Sequence, residues 1–179
     1  MGISASFGLL LLVSSFENFT RRNFLENNLI KTMSQSLNAL DLTKDVPRSP
    51  RVRLGKYVIG ARVLDKCRAV IAGTEGEYHF DCPLDQVFFK FTGIDSGAFR
   101  DFVATGADDD AVIQWVVENA AEKSEEEVVQ WNNDLRDKRI SEMPIELQVF
   151  IEGYIPENLP ANRVVYHWFD IYDIEEGRL

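Results

Sequence analysis

Four charged residues fall within one seven-residue stretch, Arg62, Asp65, Lys66 and Arg68. On a helix, Arg62 and Lys66 at i,i+4 share a face and repel by about a few tenths of a kcal/mol. Asp65 lies between them, three residues from both Arg62 and Arg68, and is expected to pair with one of the two. One carboxylate for three cations leaves a surplus positive face, which suits a phosphate or a carboxylate. The alternative is that acidic residues from later in the chain complete the pairing, making the cluster purely structural.

A second candidate is Glu77-Tyr-His-Phe-Asp-Cys-Pro-Leu-Asp85. Cys82 precedes Pro83, and proline favours the first position of a helix, so the thiol would stand at the positive end of a helix dipole. That placement favours thiolate, whereas Asp81 and Asp85 oppose a further negative charge. A nucleophile also needs a base, and His79 lies three residues before Cys82. The plainer reading is a small cap-position cysteine, with Tyr78 a buried ring whose hydroxyl is satisfied. Cys67, His79, Cys82 and His167 lack the paired spacing of a zinc site, so no metal is expected. Asp108, Asp109 and Asp110 are explained by helix capping and the dipole. Gly73-x-x-Gly76 is too short for a phosphate loop, and there is no Gly-x-Ser-x-Gly elbow. No cofactor is expected.

These residues sit in a chain of 179 residues, 45% hydrophobic and 27% charged. That is long enough to bury a core without staples. Two cysteines exclude a disulfide framework and point to a reducing, cytoplasmic setting. No apolar run approaches about 18 residues, so no membrane span is expected. A formal charge of −10 argues against a nucleic-acid partner. The charge is uneven. Residues 41–73 hold eight Lys/Arg against three Asp/Glu, a net of +5, whereas residues 74–179 hold eight against twenty-four, a net of −16. Either acidic helices embrace a basic central element, or that element faces an anionic ligand.

The elements that must position the candidates follow from punctuation and periodicity. Residues 1–32 open with an apolar run, Phe7 to Val13, without a preceding positive charge or an Ala-x-Ala site, and read as an upstream extension outside the fold, with the natural start expected at Met33; the alternative is a poorly formed signal or membrane-surface anchor. Val46 before Pro47 implies an extended entry. Ser49-Pro50 predicts the start of a central helix running to Ala72, with Gly55 or Gly60 as a break point. Ile59, Val63, Leu64, Cys67, Val70 and Ile71 fall on one side of it, and the charged cluster on the other. Gly73 to Gly76 is a turn, and residues 77–80 are short and extended. Helices follow after Pro83, after Asp95, after Asp108 with Val112, Ile113, Val116 and Val117 inward, and after Ser124, which has capping-box spacing to Glu127. Pro144 to Tyr154 and the Val165–Tyr172 region complete the set. The class is mainly α: a single compact helical domain over residues 41–179 around a central helix.

The string Asp41-x-Thr43…Pro47-Arg-Ser-Pro50…Leu54-Gly55…Arg62…Asp65-Lys66-x-Arg68-Ala69…Gly73-x-x-Gly76-Glu77-Tyr78…Cys82-Pro83-x-Asp85 resembles the bacterial domain-of-unknown-function family numbered 5069. The resemblance covers residues 41–105, and Trp168-Phe169-Asp170 with Glu176-Gly177-Arg178 resembles that family's ending. Residues 120–160 show no such likeness. Lys56 stands where the family suggests glycine, and Cys67 where it suggests alanine. The resemblance implies no particular activity.

Two functions remain open. One is a pocket for an anionic small molecule, with Arg48, Arg62, Asp65, Lys66, Arg68, Glu77, Tyr78, Cys82 and Asp85 as candidate ligand-binding residues. The other is a non-catalytic interaction module using the acidic helices or a Trp168/Tyr172 surface. Open cations in a concave pocket favour the first; fully paired cations and a flat exposed aromatic patch favour the second.

Overall fold

A computed structural model describes residues 37–179; the expected extension over residues 1–32 and the start at Met33 lie outside the described residues. Seven α-helices are present among them: α1 (Gly60–Ala72), α2 (Pro83–Thr92), α3 (Ser96–Val103), α4 (Asp109–Asn119), α5 (Glu125–Arg136), α6 (Ile145–Asn158) and α7 (Trp168–Glu175). The described residues contain no strand, only isolated bridges at Leu54–Tyr57 and Arg139–His167. No described helix is long and apolar enough to cross a membrane. Residues 74–82, expected to include a short extended segment over 77–80, form a loop with turns at residues 76–77 and 80–81.

Side-chain capping sets the starts of α3, α4 and α5. Asp95 accepts a hydrogen bond from the Ala98 N–H, Asp108 from that of Ala111, and Ser124 forms a reciprocal capping box with Glu127. Cys82 precedes Pro83 at the start of α2, and Gly93, at φ 71°, closes it. The helix expected from Pro50 begins only at Gly60. Ser49 Oγ accepts from the Arg51 N–H and bonds Asp173, while Leu54 and Tyr57 exchange both backbone hydrogen bonds around Gly55, at φ 57°. Those turn bonds consume the groups that a helix would use. Ile59 then precedes α1 at φ 68°, a strained angle for a β-branched residue, which is held by complete burial and by its N–H donating to Pro50 O.

α1 is the centre of the molecule, with Gly60 through Ala69 and Ala72 all buried. Val70 and Ile71, expected inward, are half-buried, and Val117 on α4 is exposed. The apolar side of α1 packs against Phe88, Phe99, Val112, Val116 and Phe169. Rings of Phe88, Phe89 and Phe99 meet edge to face at 5.4–6.2 Å, and Phe91 stacks on Trp131 at 4.3 Å. Buried Asn132 on α5 ties the entry loop down, accepting from the Val58 N–H and donating to Lys56 O. A smaller cluster of Ile140, Met143, Ile151, Leu159, Ile171 and Ile174 joins α6 to α7.

The entry to α1 leaves no space at Gly60, where an added Cβ would stand 2.9 Å from Leu54 Cβ and 3.2 Å from Phe88 Cε2. Gly60→Ala is therefore expected to destabilise the fold by about 1–3 kcal/mol despite alanine's better helix propensity. Urea denaturation measures it; an unchanged or raised midpoint would show that the contact is slack.

Candidate functional site

The charged side of α1 is as buried as its apolar side. Arg62 is 3% exposed, Lys66 3%, Arg68 2% and Asp65 5%. Charges so placed are costly unless paired and hydrogen-bonded, and each has a partner on another element. Asp65 does not pair with Arg62 or Arg68 as its spacing suggests. It receives the Arg48 side chain in a fork, with Nη2 2.7 Å and Nε 2.9 Å away, and the Arg48 backbone N–H. Arg48 extends to Asp109 at 2.7 Å, and Arg68 reaches the same carboxylate at 2.6 Å. Burial raises the Asp109 pKa, but hydrogen bonds from Arg48 and Arg68 outweigh it and hold it below the usual carboxylate range.

Further along the face, Lys66 Nζ lies 2.6 Å from Asp85 Oδ1, 3.0 Å from His79 O and 3.2 Å from Cys82 Sγ. Asp85 is fully buried, and burial pushes its pKa up against the opposing pull of Lys66. Arg62 forms a bidentate pair with Glu176, Nη1 2.9 Å and Nη2 2.6 Å from the carboxylate oxygens, both side chains 4% exposed. Its guanidinium also lies over two rings, 5.5 Å from Tyr78 and 5.0 Å from Tyr172. Burial lowers the Arg62 pKa, yet Glu176 reverses this and raises it above the ordinary value.

Arg62 and Lys66 also stand in the wall of a cleft of about 650 Å³. Its other walls come from the entry segment (Leu42, Thr43, Val46), the 76–82 loop, Leu84 of α2, Tyr154 of α6, and Tyr172, Glu175 and Glu176 at the C-terminal end. Tyr154 donates its hydroxyl to Glu175 at 2.7 Å. Burial pushes the Tyr78 and Tyr154 phenols up to about 12, so both remain protonated donors across the neutral range. Among the described residues, no group of three or more His, Cys, Asp or Glu side chains is placed to hold a metal ion.

The family model described as "Domain of unknown function (DUF5069)" matches residues 44–178. The chain belongs to this family. The DUF5069 match takes in residues 120–160, which the motif resemblance does not reach, so α5 and α6 are part of the family's domain. A comparison with the curated proteins finds no match.

In this DUF5069 domain, five of the sequence candidates meet at the cleft: Arg62, Lys66, Glu77, Tyr78 and Cys82. Arg48, Asp65 and Arg68 form a separate network with Asp109, and Asp85 supports Lys66 without lining the cleft. Cys82, half-buried before α2, accepts from Lys66. Cys67 lies in the apolar core, where burial pushes its thiol up to about 12. Tyr154, Glu175 and Glu176 were not candidates in the sequence, and Tyr172 was one only for an interaction surface with Trp168. Of the first three, Glu176 alone carried a signal, from its place in the family-like ending.

Lys66→Met should strand the Asp85 carboxylate and cost about 3–5 kcal/mol at neutral pH. A carboxyl whose pKa is higher folded than unfolded binds more protons when folded, so stability rises as pH falls through that window. Asp85 without Lys66 extends this window upward, and the variant should regain stability between neutral and mildly acidic pH, as measured by urea denaturation. A loss that does not change with pH would contradict the pairing.

Proposed function

We propose that the protein binds a small molecule in this cleft, with an anionic group of the ligand taking the place of the Glu176 carboxylate on Arg62. One observation carries the reading. Arg62 presents a planar fork in the cleft wall, and that fork already receives a carboxylate in bidentate geometry. The carboxylate comes from just beyond the end of α7 and is followed by exposed Gly177, Arg178 and Leu179. Arg62 Nε, buried and without a hydrogen-bond partner, is a further donor on the same group. The rings of Tyr78 and Tyr172 hold the guanidinium in place, and Leu42, Val46 and Leu84 supply apolar wall for the body of the ligand. Glu77 and Glu175 at the same cleft disfavour highly charged anions, so a monocarboxylate or monophosphate fits best. No reaction is assigned. The reading keeps the protein in the cytoplasm, in keeping with two free cysteines, and without a nucleic-acid partner, since its basic segment is internally neutralised.

A second reading, an interaction module with a purely structural cluster, is favoured by the pairing of every cation on the α1 face. One experiment separates the two. Glu176→Ala leaves Arg62 buried and unpaired, at a cost of about 3–5 kcal/mol. If the fork accepts exogenous anions, acetate or inorganic phosphate should restore part of the lost melting temperature, because only the folded state offers the site. Wild-type protein should show a smaller shift with the same anions, and Arg62→Ala combined with Glu176→Ala should show none. No restoration by any carboxylate or phosphate would reject ligand binding at Arg62 and leave the structural reading.

A further inference from the structure

The helix that lends Tyr154 to the cleft has a second face. Only Ile151 of α6 is buried, while Ile145 is 63% exposed, Val149 68% and Phe150 64%. At about 100° per residue, Ile145, Val149 and Pro156 project within roughly 40° of one another, turned away from Ile151. Gly153 lies beside them, and an added Cβ there would meet nothing within 4 Å. Contiguous exposed apolar surface on a helix marks an interaction site. Local preference does not explain this helix, since Gly153 and Pro156 both weaken its interior.

Charge identifies the occupant. Residues 141–162 contain four glutamates and no Lys, Arg or His. Glu152 lies on one flank of the apolar ridge, and Glu146 and Glu157 on the other, all exposed. A second copy would set glutamate against glutamate, and an anionic bilayer would be repelled. We propose that this face of α6 is a docking surface for a basic amphipathic helix of another protein, whose apolar stripe covers Ile145, Val149 and Pro156 and whose Lys or Arg residues meet Glu146, Glu152 and Glu157. Such a partner matches both the apolar ridge and the sign of its rim.

The test uses the full chain and three synthetic peptides: an amphipathic Leu/Lys helix, its scrambled isomer of equal charge, and a Leu/Glu counterpart. The amphipathic basic peptide should bind saturably, weaken as salt rises, and slow hydrogen exchange across α6. The scrambled and acidic peptides should bind at least about tenfold more weakly, a difference of roughly 1.4 kcal/mol. Ile145→Ser with Val149→Ser should weaken binding of the basic helix by a similar factor while leaving the melting temperature unchanged, since both side chains are exposed. Equal binding of the scrambled peptide, or undiminished binding by the serine variant, would overturn the proposal. So would a dimer that the same substitutions dissociate, or binding to phosphatidylserine vesicles in preference to the peptide.

Discussion

The fold depends on one constraint: α1 is buried on its charged side as well as its apolar side. An ordinary amphipathic helix turns its polar face to water and needs no specific partners there. Here Arg62, Asp65, Lys66 and Arg68 are all at most 5% exposed, so each needs a counter-charge placed by another part of the chain. Those counter-charges come from Glu176 after α7, Arg48 in the entry segment, Asp85 on α2 and Asp109 on α4. The contacts are directional, so they fix orientations that apolar packing alone would tolerate more loosely.

The acidic excess of the second half therefore has a specific structural use. Part of it neutralises the basic first half at close range, where solvent screening is weak. The C-terminal end shows how far this goes: Arg51 joins Asp170 and Asp173, and Arg178 bonds Asp173, Glu176 and Pro47 O, so the final helix is bound to the entry segment. The cleft is a by-product of the same arrangement. The paired Arg62 and Lys66 of α1 form part of its wall, and the rest comes from elements that supply or surround the partners.

Much of the helical framework was legible because it rests on local rules. Asp95, Asp108 and Ser124 cap the helices that their spacing predicts, and Pro83 and Gly93 bound α2. Pro50 misled because Ser49 is engaged by Asp173, 124 residues away, and no local pattern reveals such a partner. Asp65 misled for a similar reason, since helix spacing favours Arg62 or Arg68, whereas Arg48 offers a fork from outside the helix. The cleft was half legible. Arg62, Lys66, Tyr78 and Cys82 are close in sequence, but Tyr154, Tyr172 and Glu176 arrive only through the packing of α6 and α7.

The central claim is that the α1 charges are held by specific partners across the fold, and the Arg62–Glu176 pair tests it most directly. A double-mutant cycle with Arg62→Met and Glu176→Gln, followed by urea denaturation, isolates the coupling between them. A buried bidentate pair predicts that the double variant is much less destabilised than the sum of the two singles, with an interaction energy of about 1–3 kcal/mol. Single effects that add within about 0.3–0.5 kcal/mol would contradict the account.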